Sequence, residues 1–158
     1  MKLKVTAGII VGLIVLGIGY FAVLSATAKR PDNLGATDGK LAACPDKPNC
    51  VCSQGDPADA GHFIEPLPYS GTADEAIARL EQVISEMPRT NVVKREDNYL
   101  HIEFTSALFR YTDDVEFLVD SEQNQIHVRS ASRVGHSDLD ANRTRVEAIR
   151  TALQSPAN

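Results

Sequence analysis

Positive charge is in short supply in this chain. Its 16 Lys and Arg face 21 Asp and Glu, for a formal net charge of −5. Two of the basic residues, Lys2 and Lys4, precede an apolar run, so the chain beyond that run is more acidic still. This excludes nucleic acid as a partner, because neutralising phosphates requires a basic surface. The same imbalance argues against a domain lying flat on anionic lipid. Cysteine is scarce too: Cys44, Cys50 and Cys52 have no second pair downstream that would complete a structural zinc site. No nucleophile elbow, phosphate loop, dinucleotide fingerprint or zinc-protease spacing occurs, so neither cofactor nor metal is implied. Internal repeats and low-complexity tracts are absent as well.

Charge of either sign is missing from Val5 to Ala28, a run rich in Ile, Val, Leu and Gly. About 20 apolar residues suffice for a helix to cross a bilayer core of ~30 Å. The run exceeds the ~7–15 apolar residues of an ordinary signal peptide, which favours a retained anchor over residues 1–28. Ala26-Thr27-Ala28 nevertheless has the small-x-small form that a signal peptidase accepts. Either outcome exports the remainder. Lys2, Lys4 and the terminal amine narrowly outweigh Lys29 and Arg30 under the positive-inside rule. The expectation is a single-pass protein of the cell membrane with its domain on the periplasmic, extracytoplasmic side. Gly8-x-x-x-Gly12 has the spacing for close helix pairing, but glycine is common in such segments, and the oligomeric state stays open.

Residues 29–43 are polar, without an apolar period, and read as a linker. Leu41-Ala42-Ala43-Cys44 has the spelling of a lipidation box but stands too far behind the apolar run. A domain over residues 44–153 and a short tail over 154–158 follow. Phe63 to Tyr69, interrupted by Pro66 and Pro68, reads as an edge strand at most. Thr72-Ala-Asp-Glu75 fits a capping box, and Ala76, Ile77, Leu80, Val83, Ile84 and Met87 share one helical face up to Pro88. Strands are expected at about Asn91–Lys94, Tyr99–Thr105, Asp114–Val119 and Gln125–Ser132. In the last two, Val115, Phe117, Val119, Ile126 and Val128 face one way, and Asp114, Glu116, His127 and Arg129 the other. A four-residue loop, Ser121 to Asn124, would set Glu116 opposite Arg129, and a two-residue slip would set Asp114 there instead; either way Arg129 faces a carboxylate. A closing helix runs from about Leu139 to Leu153, capped by Asp138 or Ser137. The expected fold is α+β: an antiparallel sheet of four to five strands packed with two helices, plus the N-terminal transmembrane helix.

Three sets of residues carry chemistry. Cys44 and Cys50, with five residues between them in an exported chain, are most simply a disulfide closing a small loop, which leaves Cys52 odd. Asp113-Asp114-Val-Glu116 and Arg129-Ser-Ala-Ser-Arg133 lie on adjacent strands, with Asp138, Asn142, Arg143 and Arg145 at the start of the closing helix. Guanidinium forks there suit a carboxylate or phosphate. Alternatively, Asp113, Asp114 or Glu116 would supply acid or base if burial pushed their pKa values apart. A third reading has these groups satisfy one another and fix the hairpin to the helix. The histidines add little: His101 and His127 fall on polar positions of alternating strands and are expected to be exposed.

Pro48-Asn49-Cys50-Val51, Asp113-Asp114-Val115-Glu116-Phe117 and the run Val128-Arg129-Ser130-Ala131-Ser132-Arg133-Val134-Gly135 bring in a family. With Ser137-Asp138-Leu139, Asn142-Arg143 and Arg145-Val146-Glu147, the chain resembles the domain of unknown function 1499 family from about Cys44 to Leu153. The resemblance implies an envelope or organelle-lumen domain with no established reaction. Cys52 stands where the family's pattern reads Ser, which argues against a family-wide role for it. Asp140 stands where the pattern reads Gly, which argues against an anion site at that helix start. The combined expectation is a non-catalytic, membrane-tethered module. It would bind a small anionic or amphipathic, lipid-like ligand, or an envelope protein, through Arg129, Arg133, Arg143, Asp114, Glu116 and Asn142. A hydrolase-type enzyme using Asp113, Asp114 and Glu116 and a structural envelope protein are the alternatives.

Overall fold

The computed structural model describes the backbone of residues 2–155 and the side chains of residues 12–155 except residue 14. Helix α1 runs from Lys2 to Thr27, 26 residues. Among the residues described in full, no helix is long and apolar enough to cross a membrane. The first part of the run 5–28, with the Gly8 end of its glycine pair, lies outside those residues, as do residues 156–158 of the tail.

Helices α2 (Ala73–Ser85) and α3 (Ala141–Gln154) pack on one face of an antiparallel sheet. Its strands are β1 (Cys50–Cys52), β2 (Leu67–Pro68), β3 (Thr90–Arg95), β4 (Tyr99–Thr105), β5 (Thr112–Asp120) and β6 (Gln125–Ser132). The order is β1-β6-β5-β4-β3, and β2 also joins the outer edge of β6, beyond the end of β1. The long hairpins follow chain order because their connections are short, as antiparallel neighbours permit. Edge strand β3 carries an irregularity between Val92 and Lys94, a feature that blunts edge-to-edge pairing.

The start of α2 is the expected capping box: the Thr72 hydroxyl accepts from the Glu75 amide while the Glu75 carboxylate accepts from the Thr72 amide. Its stripe of Ala76, Ile77, Leu80, Val83 and Ile84 meets Leu100, Ile102, Phe104, Val115, Phe117, Ile126 and Val128 from the sheet. Val146 and Ile149 of α3 complete that core. Each such side chain, taken fully out of water, contributes about 1.5–3 kcal/mol.

The start of α3 departs from expectation. The helix begins at Ala141 rather than Leu139, because Leu139 and Asp140 take positive φ values of 54° and 62°. Asp140 thus occupies a left-handed conformation that glycine adopts without strain, which matches the glycine of the family pattern at this position. Asp138 supplies the cap from two residues back, its Oδ2 accepting from the Asn142 amide at 2.8 Å.

Residues 29–43, read above as a linker, are laid across the other face of the sheet. The Gly35 amide reaches Glu116, Arg30 reaches Glu103, and Leu41 is buried with Tyr99 and Leu118 in a small second core. No apolar period marks this segment because it contributes single contacts rather than a repeating face. Strand β1 was not anticipated either; three residues between a disulfide loop and a turn are too few to display alternation.

Candidate functional site

Side chains alternate across a strand, so the face of the sheet opposite the helices collects every second residue. Here that face is charged. Strand β4 contributes Tyr99, His101 and Glu103, strand β5 contributes Asp114, Glu116 and Leu118, and β6 contributes His127, Arg129 and Ala131. Glu116 lies directly between His101 and Arg129 in register, so of the two pairings open to the hairpin the one with the four-residue loop is adopted. What alternation did not reveal is burial. Because the segment 29–47 covers this face, Glu116 is 0% exposed and Arg129 3%. His101, expected at the surface, is buried to 3% for the same reason. His127 is partly covered, within 3.3 Å of the Ser53 hydroxyl.

Two linked centres result. In the first, the Glu116 carboxylate accepts from Arg129 Nη1 at 3.0 Å, the Tyr99 hydroxyl at 2.8 Å and the Gly35 amide at 2.7 Å. Burial, then the neighbouring Glu116 charge, pushes the Tyr99 phenol well above its ordinary value. In the second, Arg133 grips Asp114 with Nε at 2.8 Å and Nη2 at 2.7 Å and also reaches Glu103, while His101 Nε2 lies 2.8 Å from Asp114 Oδ1. Burial alone would raise the Asp114 carboxyl, but the bonds and charge of Arg133 and His101 outweigh it and hold the group below the usual range. Glu103 behaves alike: burial is overcome by Arg30, Arg133 and Asn91. The Arg133 guanidinium is correspondingly stabilised, first by its bond to Asp114.

The predicted site residues therefore separate. Arg129, Arg133, Asp114 and Glu116 come together on the outer face. Asn142 lies on the helix side, fully buried, donating to Asn49 O, the Ser132 hydroxyl and Asp138 while accepting from Ser130 and Arg145. Arg143 joins neither group; it donates to the carbonyls of Ala60, Gly61 and Phe63 and pins that loop to α3. Asp113 and Asp114, adjacent in sequence, point through opposite faces of the sheet. Asp113 pairs with Arg145, whose guanidinium lies 4.8 Å above the Phe104 ring. A two-carboxylate acid–base site is thus not assembled from Asp113 and Asp114. Glu116 is sealed, and Asp114 is held ionised rather than poised to donate. Tyr99, His101, Glu103 and Arg30 were missed as members. For the first three, the alternation of β4 was the available signal; for Arg30 there was none.

A cleft of about 340 Å³ opens beside this layer, lined by Lys47, Asn49, Arg129, Ser132 and Arg133 together with Cys44. Its rim is the loop closed by the Cys44–Cys50 disulfide, as expected, with Cα atoms 5.6 Å apart. Cys52 is a free thiol, buried next to Arg129 in register, and burial raises its pKa away from reactivity. Arg129 commits Nη1 to Glu116, and its Nε, buried at the same place, has no hydrogen-bond partner among the described residues. No group of three His, Cys, Asp or Glu among those residues is placed to hold a metal ion.

Helices on one face of an antiparallel sheet and a covered ion-pair layer on the other define a two-sided α+β domain. A family model described as "Protein of unknown function (DUF1499)" matches residues 40–153, and the chain belongs to that family. The match begins four residues before Cys44 and so takes in Leu41, which anchors the covering segment. No curated protein matches the chain.

Proposed function

We propose that this chain is a membrane-tethered, extracytoplasmic binding module. Residues 5–28 hold it in the cell membrane, and the cleft beside the disulfide loop takes a small anion, a carboxylate or phosphate, against Arg129 and Arg133. The observation that carries the ligand reading is the Arg129 guanidinium, buried at the cleft with Nε lacking an acceptor. An unpaired buried donor costs about 1–3 kcal/mol, and an acceptor oxygen would recover it. A guanidinium fork is also shaped for two-oxygen anions.

The address is supported by two features. A helix of 26 residues is about 39 Å long, more than a bilayer core requires. A disulfide persists in oxidising compartments, which fits a domain outside the cytoplasm.

Native mass spectrometry of the full-length chain, purified gently from a host that exports it, tests both parts. The expected result is the mass deficit of one disulfide, mapped to Cys44 and Cys50, with a small anionic adduct. That adduct should be absent from a Glu116→Gln/Arg129→Met variant, which removes the fork without stranding a buried charge. A bare, oxidised wild-type protein would remove the ligand and leave the address. Three free thiols would remove the address.

A further inference from the structure

We propose that the loop between β4 and β5, residues 106–111, is a second membrane contact, with Leu108 and Phe109 entering the leaflet nearest the domain beside α1. This rests on the reading of residues 5–28 as a spanning helix. It adds a lipid-binding surface on the folded domain itself.

The loop is the part of the domain that meets α1. The Phe21 ring lies 5.0 Å from that of Phe109 and 6.5 Å from that of Tyr111, and Phe109 stacks on Tyr111 at 5.5 Å. The Ser25 hydroxyl donates to the Arg110 carbonyl at 2.7 Å. Between helix and loop lies a mostly apolar cavity of about 370 Å³, in which Ile18, Ala22, Ala26, Leu108 and Phe109 are interrupted by Ser25 and Arg110. Leu108 is 79% exposed beside it, one of three large exposed apolar residues described outside α1, with Val92 and Leu139.

Depth decides what that surface meets. Phe21 precedes Ala28, the end of the uncharged run, by seven residues, about 10 Å along a helix axis. A loop packed at the level of Phe21 therefore cannot stay in water while the run spans the bilayer. It lies among lipid, at the level where aromatic rings gather near the interface. Backbone polar groups at such depth must be paired. The loop meets this in part within itself: the Ser106 amide donates to the Tyr111 carbonyl at 2.8 Å, and the Tyr111 amide to the Ser106 hydroxyl at 2.9 Å. The Arg110 carbonyl takes the Ser25 hydroxyl. The acidic balance of the chain excludes charge-driven adsorption as the cause, so the contact is apolar insertion and does not require anionic lipid.

The chain lacks tryptophan, so a single substitution supplies an unambiguous reporter. Full-length Leu108→Trp, Phe21→Trp and Gln123→Trp variants are reconstituted in phosphatidylcholine vesicles with and without brominated acyl chains. Gln123 lies in the β5–β6 turn, at the opposite end of the sheet. Exposed Leu108 and Gln123 tolerate the change, and matching circular dichroism melts confirm folding. The expected result is blue-shifted emission quenched by bromolipid for Leu108→Trp and Phe21→Trp, with neither effect for Gln123→Trp. Quenching of Phe21→Trp alone, with Leu108→Trp emitting as in water, overturns the contact and leaves the anchor. A blue shift of Leu108→Trp without quenching means a second copy of the chain covers the loop, which also overturns it. Loss of quenching in both variants removes the anchor and the contact with it. Quenching of Leu108→Trp alone overturns the contact as placed here, because the loop reaches lipid only through its packing against a spanning α1.

Discussion

The two faces of the sheet are both buried, by different chemistry. The inner face meets α2 and α3 mainly through aliphatic side chains with Phe104 and Phe117, a non-directional core bordered by the Asn142 knot and the Asp113–Arg145 pair. The outer face meets the segment 29–47 through Glu116 and Glu103, and beneath that cover Arg129, Asp114, Arg133 and His101 each depend on a named partner. An apolar face tolerates any cover of suitable shape, whereas a charged face holds together only when every charge finds its mate. The difference teaches where this protein is brittle.

The largest expected effect comes from breaking one outer pair. Arg129→Ala leaves the sealed Glu116 carboxyl without its guanidinium partner, and should destabilise the fold by about 3–5 kcal/mol in urea unfolding. Replacing both residues together, Glu116→Gln with Arg129→Met, keeps an acceptor for Tyr99 and Gly35 and should restore most of that loss. On the inner face Phe117→Ala should cost a comparable ~3–5 kcal/mol, but through a cavity that removal of a second partner cannot heal. If the outer double variant is as unstable as the single one, the contrast between the faces fails.

Acid should act on the outer face through Asp114. The folded-state pKa of Asp114 is depressed, so the folded protein binds fewer protons than the unfolded one below the ordinary value of 3.8. Its contribution is complete above that value and is lost as pH falls through the lower folded value. Asp114→Asn should therefore lower stability at neutral pH and flatten the acid limb of a stability–pH curve. At the alkaline end the sign reverses. The raised Tyr99 contributes fully below the ordinary phenol value of 10.0, and its contribution is lost as pH rises above it. Tyr99→Phe should remove that alkaline dependence.

Helix starts sharpen the comparison on a smaller scale. Thr72→Ala breaks a local capping box and should cost about 1 kcal/mol. Asn142→Ala undoes a buried knot joining α3, β6 and the Asn49 carbonyl, and should cost about 2–3 kcal/mol by stranding buried partners. The smallest effect belongs to Asp140→Gly. Relief of the left-handed backbone competes with greater freedom in the unfolded chain, so the net change should stay within about 0.5 kcal/mol. Thermal melts rank all three.

Much of this was legible because it is periodic or local. The stripe of α2, its capping box and the alternation of β5 and β6 each follow from spacings of a few residues, whereas the choice of Glu116 over Asp114 opposite Arg129 came only with the paired strands. The disulfide was legible for the same reason. The candidate site was legible in membership but not in arrangement. Arg143 was grouped with Arg129 because the two fall close in sequence, yet its guanidinium reaches back to Ala60, Gly61 and Phe63. Asp113 was grouped with Asp114 although a strand must send neighbours to opposite faces.

By itself, then, the amino-acid sequence determined the elements, the apolar face and which polar side chains share the other face, since these depend on short-range periodicity. Only the tertiary structure decided that His101 and Glu116 are buried, that Arg30 and Gly35 partner residues some 70 to 80 positions away, and that loop 106–111 lies against α1. The physical reason is that a polar segment such as 29–43 carries no period of its own. Where it lies is set by the partners waiting on the sheet, and those exist only once the sheet has formed.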